Sequence, residues 1–171
     1  EKSSDDTRLP RSPVAAARAE QVERPDTLKV VGLLGAGIMG AGLAEVIARA
    51  GYDVVVRSRT RNAAEGLLAG IGEGLAKQVE RGKTTAEERA DILGRITVSD
   101  HIGALADCDL IIESVVEDLA VKKALFAELE QVVKPSGILA TNTSTLPVIE
   151  MAIATQRPDR VCGIHFFNPA P

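Results

Sequence analysis

The stretch Lys29-Val30-Val31-Gly32-Leu33-Leu34-Gly35-Ala36-Gly37-Ile38-Met39-Gly40 joins a run of mostly apolar residues to a turn with glycine at its first, third and sixth positions. Lys29 to Leu34 is rich in Val and Leu and shows no polar alternation, as expected of a strand covered on both faces. Beyond the turn, Ile38 to Ala50 carries Leu43, Val46 and Ile47 at helical spacing, and Gly51 ends it. The three turn glycines serve different ends. Gly35 permits the tight turn, Gly37 lets a ligand's phosphates reach the backbone, and Gly40 lets the helix lie close to the strand. Phosphates held there meet the unpaired N–H groups and partial positive charge of a helix N-terminus. A second strand, Val54 to Val56, ends where a ribose-contacting side chain belongs. Strand, turn and helix together predict a nicotinamide-dinucleotide site in which Gly35, Ala36, Gly37, Ile38, Met39 and Gly40 cradle the pyrophosphate.

Outward from this unit, short apolar runs alternate with stretches of helical period, the pattern of a parallel sheet with helices on its faces. The predicted fold is α/β, a Rossmann-type doubly wound, mostly parallel sheet, spanning residues 28–171. Leu67, Leu68, Ile71, Leu75 and Val79 predict a helix over 61–81 despite Gly66, Gly70, Gly72 and Gly74, so packing must support it. After Gly82, Thr84-Thr85 followed by Glu87-Glu88 has the form of a capping box and starts a second helix running to about Leu93. The two helices form an antiparallel hairpin, longer than a simple crossover requires and hence an insertion. Ile96 to Val98, Leu110 to Glu113, Ile138 to Thr141 and Val161 to Phe166 read as further strands. Leu119 to Val133, capped by Asp118, and Pro147 to Ala154 read as helices.

Composition narrows the function. The chain has 171 residues, 45% of them hydrophobic, which suits one domain with a buried core. A formal charge of -4 and the lack of a basic run after residue 61 argue against nucleic acid. No apolar run reaches the roughly eighteen residues of a membrane span. Cys108 and Cys162 show no CxxC spacing, so neither a disulfide framework nor a zinc site is indicated, no metal is expected, and a reducing, cytoplasmic compartment fits. The first residue, Glu1, is not a methionine, which suggests a fragment, and residues 1–27 mix both charges with few large apolar residues, so they are expected to form a flexible tail.

The end of the second strand selects among dinucleotides. Arg57-Ser58-Arg59-Thr60-Arg61 lacks the carboxylate that binds both ribose hydroxyls in NAD sites, and Ser58 stands in its place. A serine beside Arg59 and Arg61 can hydrogen-bond and neutralise the extra phosphate of NADP. NADP is therefore favoured; arginines that point to solvent leave NAD usable.

Four segments carry a wider resemblance: residues 35–56, GAGIMGAGLAEVIARAGYDVVV; 111–129, IIESVVEDLAVKKALFAEL; 141–145, TNTST; and 163–171, GIHFFNPAP. Over residues 29–171 the chain resembles the N-terminal domain of the L-3-hydroxyacyl-CoA dehydrogenases, and among them the bacterial 3-hydroxybutyryl-CoA enzymes. The resemblance implies oxidation of the 3-hydroxyl of a short-chain 3-hydroxyacyl-CoA with hydride passing to NAD(P). His165 matches the family histidine that accepts the hydroxyl proton, a role that suits an imidazole because its ordinary pKa lies near neutrality. Ser144 matches the serine that binds the substrate oxygen beside it, and Asn168 the asparagine of the same loop near the nicotinamide. Glu117 and Lys122 match cofactor contacts; their spacing also suits an acidic helix start followed by a solvated lysine. Ser144 is equally placed to cap the helix that follows, and His101, after Ser99-Asp100, reads as a surface residue.

Two departures from the family matter. Gly74 stands where the family has a serine touching CoA, while Arg81 or Lys83 supplies the basic partner, which leaves a carrier-protein-bound acyl chain open. The glutamate that orients the family histidine and the helical C-terminal domain, with its dimer interface, fall beyond Pro171, so this chain is expected to be inactive alone and to act within a homodimer. A sugar-acid dehydrogenase of the gulonate type and a non-catalytic dinucleotide-binding module are the alternative readings.

Overall fold

The computed structural model describes residues 28–167; the expected tail over 1–27 and Asn168 lie outside them. Six strands form one sheet in the order β3-β2-β1-β4-β5-β6. They are β1 (Val30–Leu34), β2 (Asp53–Arg57), β3 (Ile96–Ser99), β4 (Leu110–Glu113), β5 (Ile138–Thr141) and β6 (Val161–Gly163). Every pairing is parallel. The order reverses between β1 and β4, and the crevice at the carboxyl ends of those strands is where such sheets take ligands.

Five helices cover the sheet: α1 (Ile38–Arg49), α2 (Arg61–Glu80), α3 (Ala86–Gly94), α4 (Leu119–Val132) and α5 (Val148–Ala152). β1 shows why its sequence does not alternate. Val31 and Leu33 pack with Leu43, Leu67, Leu75 and Ile92 of the first three helices, while Leu34 packs with Phe126, Leu129 and Met151 of the last two on the opposite face. Gly32 faces that second layer, where a Cβ would meet Ile111 Cδ1 at 2.5 Å.

The hairpin forms as the sequence predicts. Thr60 caps α2, its hydroxyl accepting from Ala63 N at 3.3 Å. Thr85 and Glu88 form a reciprocal capping box at the start of α3, with bonds of 3.0 and 2.7 Å. Ala64, Leu67, Ile71 and Leu75 bury one face of α2, and this packing offsets its glycines. The tip is fastened to the last turn of α1, where Arg49 donates to Thr84 Oγ1 at 3.0 Å and to Gln78 Oε1 at 2.9 Å.

The last strand is shorter than expected, ending at Gly163 instead of Phe166. Ile164 N still donates to Thr141 O at 3.0 Å, but Phe166 N turns to the side-chain oxygen of Asn142 at 2.8 Å. A side-chain acceptor from the neighbouring loop has replaced the ladder, and the chain bends away from the sheet.

Asp109 anchors the start of β1 and β4. Its carboxylate accepts from Lys29 N at 2.8 Å, Val30 N at 2.9 Å and Lys134 Nζ at 2.5 Å. Burial pushes its carboxyl up, but the Lys134 bond and the two backbone N–H groups outweigh burial and hold it at about 2 against an ordinary 3.8. The folded state thus favours the ionised form, so this stabilisation is fully present above about pH 4 and is lost as pH falls toward 2. It amounts to on the order of 2 kcal/mol. Asp109→Asn should lower the melting temperature at pH 7 and lose its deficit relative to wild type near pH 2, as thermal unfolding across that range will show.

Candidate active site

The glycine turn has the geometry its residues demand. Gly35 adopts φ +113°, and a Cβ there would meet Ser114 O at 2.5 Å. A Cβ on Gly40 would lie 2.1 Å from Gly35 O, so this glycine sets the approach of α1 to the turn. Gly37 is different: among the described residues nothing stands within 4 Å of its missing Cβ. It is the N-cap of α1 without a capping side chain, and no acidic residue follows in the first turn. Beside this helix end lies a cleft of about 550 Å³ bounded by Gly35 to Gly37 of the turn, Arg57 to Arg59, Ser114 to Val116, and Val121, Leu125 and Glu128 of α4. Bare amides at a helix end beside apolar walls fit a dinucleotide pyrophosphate. Of the other turn residues, Ile38 is 80% exposed and Met39 packs toward the core.

Ser58 is buried at the end of β2, its N–H donating to Ser99 O at 3.0 Å. Arg59 is exposed and borders the cleft. Arg61 does not join it: its guanidinium pairs with Glu65 at 2.8 Å, one helical turn on. Arg57, which the sequence did not single out, borders the cleft instead and donates through Nε to Asp100 O at 3.3 Å. The basic side of the cleft is therefore Arg57 and Arg59, not Arg59 and Arg61.

Further along the same edge, parallel pairing of β5 and β6 sets Thr141 opposite Gly163. The loops leaving these neighbouring strands bring Ser144 Oγ to 2.9 Å from His165 Nε2. Both residues are exposed, and the ring of Phe167 lies 4.6 Å from that of His165. Ser144 does not cap α5, whose N-cap is Pro147, so its hydroxyl serves the histidine. His101 is on the surface, as expected.

Glu117 and Lys122 come together, but not as an acidic helix start and a solvated lysine. Lys122 is fully buried, its ammonium 2.6 Å from Glu113 Oε1 and 3.4 Å from Glu117 Oε2. Glu113 is equally buried and accepts from Thr141 Oγ1 at 2.8 Å. The one signal for this cluster was a glutamate ending the apolar strand Leu110 to Glu113, since a buried carboxylate needs a partner. Arg81 and Lys83 are exposed at the hairpin tip, beside the end of α1 opposite the glycine turn, and the fold does not bring them to Ser144 and His165. Gly74 has open space around its missing Cβ. Among the described residues no group of His, Cys, Asp and Glu is arranged to hold a metal ion, and no helix is long and apolar enough to cross a membrane.

A doubly wound parallel sheet with an uncapped glycine turn at its switch point and a serine–histidine pair on the same edge defines a nicotinamide-binding dehydrogenase domain. Comparison with known proteins narrows the class. The NAD-binding domain of 3-hydroxyacyl-CoA dehydrogenase matches residues 30–171, and the chain belongs to that family. A 3-hydroxybutyryl-CoA dehydrogenase of Mycobacterium tuberculosis is 46% identical over 151 residues, covering 85% of this chain and 51% of the relative. One from Clostridioides difficile is 43% identical over 139 residues, covering 81% and 50%. Among solved structures, M. tuberculosis FadB2 superposes with a TM-score of 0.82 at 46% identity, covering 85% of this chain and 52% of FadB2. The 3-hydroxybutyryl-CoA dehydrogenase of Escherichia coli K12 gives 0.83 at 43% identity, covering 85% and 31%. The chain spans about half the length of the curated relatives it matches.

Proposed function

We propose that the protein to which this domain belongs interconverts short-chain 3-hydroxyacyl-CoA, 3-hydroxybutyryl-CoA foremost, and the 3-ketoacyl thioester, using NADP in preference to NAD. The observation that carries the reading is the 2.9 Å contact between Ser144 and His165 at the carboxyl edge of the sheet that holds the dinucleotide cleft. The nicotinamide, when bound, supplies the hydride acceptor. His165 takes the proton of the 3-hydroxyl as C3 gives up its hydride, and returns it in the reverse direction. Ser144, bonded to the same imidazole, holds the substrate oxygen in line with it. The glycine turn binds the pyrophosphate through the amides of α1, while Arg57 and Arg59 favour a 2′-phosphate beside Ser58. Arg81 and Lys83 suit the distant phosphates of an extended CoA.

The M. tuberculosis and C. difficile relatives are 3-hydroxybutyryl-CoA dehydrogenases, which supports the acyl-CoA reading. Residues supplied by a helical C-terminal domain complete the site in a homodimer, and the free thiols of Cys108 and Cys162 suit the cytoplasm. The test is to assay the intact protein with acetoacetyl-CoA, longer 3-ketoacyl-CoAs and sugar acids such as gulonate. Acetoacetyl-CoA should be turned over best, and activity confined to sugar acids would overturn the substrate class. The cofactor reading is tested by titration: NADPH should bind more tightly than NADH, and Arg59→Ala should remove the difference. Equal affinities in the wild type would sink it.

A further inference from the structure

Glu117 is an exposed carboxylate with an unusual number of partners. Its Oε1 accepts from Ser144 N at 3.2 Å, Thr145 Oγ1 at 3.2 Å, Thr145 N at 3.4 Å and the hydroxyl of Thr143. That hydroxyl in turn accepts from Leu146 N at 3.0 Å, so the bond to Glu117 and the turn over residues 143–146 are one unit. The other oxygen faces Lys122, whose ammonium has no freedom, being buried against Glu113 while Glu113 is bonded to Thr141 and to Val115 N. Glu117 is therefore held from below by a fixed charge and holds the loop above it.

We propose that Glu117 is a positioning residue: through the Thr143–Thr145 loop it keeps Ser144 against His165, and its contribution to turnover passes through Ser144. The proposal rests on the functional reading of Ser144 and His165 as the reacting pair. Burial pushes the Glu117 carboxyl up, but the Thr143 bond, the Lys122 charge and the Thr145 N–H outweigh burial and hold it at about 2. It stays ionised near neutrality, so it serves as a fixed acceptor and not as a proton carrier. Asn142 ties the start of this loop to Glu113 O and to Phe166 N beside His165, and Glu117 holds the three residues that follow, Ser144 among them. A loop freed to move by an ångström takes the serine out of line with the imidazole, and a misplacement of that size costs up to about a hundredfold in rate.

A mutant cycle in the intact protein tests this. Glu117→Ala should lower kcat about ten- to a hundredfold. Glu117→Gln should recover most of the loss, because its amide oxygen can accept the same loop bonds. The double variant with Ser144→Ala should be no slower than Ser144→Ala alone, since both act through one hydroxyl. If Glu117→Ala does not fold, Thr143→Val removes the hydroxyl bond while leaving those from Ser144 N and Thr145, and should show a smaller fall in kcat that again disappears in the Ser144→Ala background. Normal kcat in Glu117→Ala would overturn the proposal, as would losses that add in the double variant. Normal turnover in Ser144→Ala would remove the functional reading of the pair, and this inference with it.

Discussion

Replacing His165 by glutamine in the intact protein is expected to lower kcat by about a hundredfold or more, the contribution of a positioned acid–base group. Dinucleotide affinity and melting temperature should stay near wild type. The side chain is exposed beyond the end of β6 and among the described residues is bonded to Ser144 alone, with Phe167 against its ring, so little packing is lost with it. Glutamine keeps a polar head near Ser144 but has no nitrogen that can bind and release a proton near neutrality. Steady-state kinetics at saturating NADPH and acetoacetyl-CoA read the result directly, and turnover within a fewfold of wild type would remove His165 from proton transfer.

Gly40→Ala should produce the largest structural effect. Its Cβ would sit 2.1 Å from the carbonyl oxygen of Gly35, which is backbone and cannot swing aside. The turn or α1 must shift, at a cost of about 1–3 kcal/mol or more, and the amides beside the cleft shift with it. Gly37→Ala is the control, because among the described residues nothing stands within 4 Å of its Cβ. It should leave the melting temperature nearly unchanged while weakening NADPH at least about tenfold, a loss of about 1.4 kcal/mol, as the methyl fills the space the phosphates need. Thermal unfolding with and without NADPH separates the two. A Gly40→Ala protein as stable as wild type would show that α1 can slide away from the turn.

Much of this was legible in the chain because local constraints coincide there. At β1 and α1 the apolar run, the glycine spacing and the helix period all point one way, and the boundaries agree to within a residue. The hairpin announced itself through Thr85 and Glu88, whose bonds span only three residues. Arg61 could have been set aside from the sequence alone, since Glu65 lies four residues on along a helix. The end of β6 could not, because what stops it is the side chain of Asn142 on another strand's loop.

The sequence by itself determined the fold class and the phosphate turn and singled out Ser144 and His165 as candidates, since these depend on residues close in the chain or on a distinctive string such as Ile164-His165-Phe166-Phe167-Asn168-Pro169. Only the tertiary structure decided that Ser144 turns to His165 and not to a helix end, that Lys122 is buried and paired, and that Glu117 grips the serine loop. The contacts of Ser144 with His165 and with Glu117 span 21 and 27 residues and depend on the loops after β4, β5 and β6 meeting at one edge, while the burial of Lys122 against Glu113 depends on α4 lying on β4; packing fixes each of these, and no local pattern encodes it.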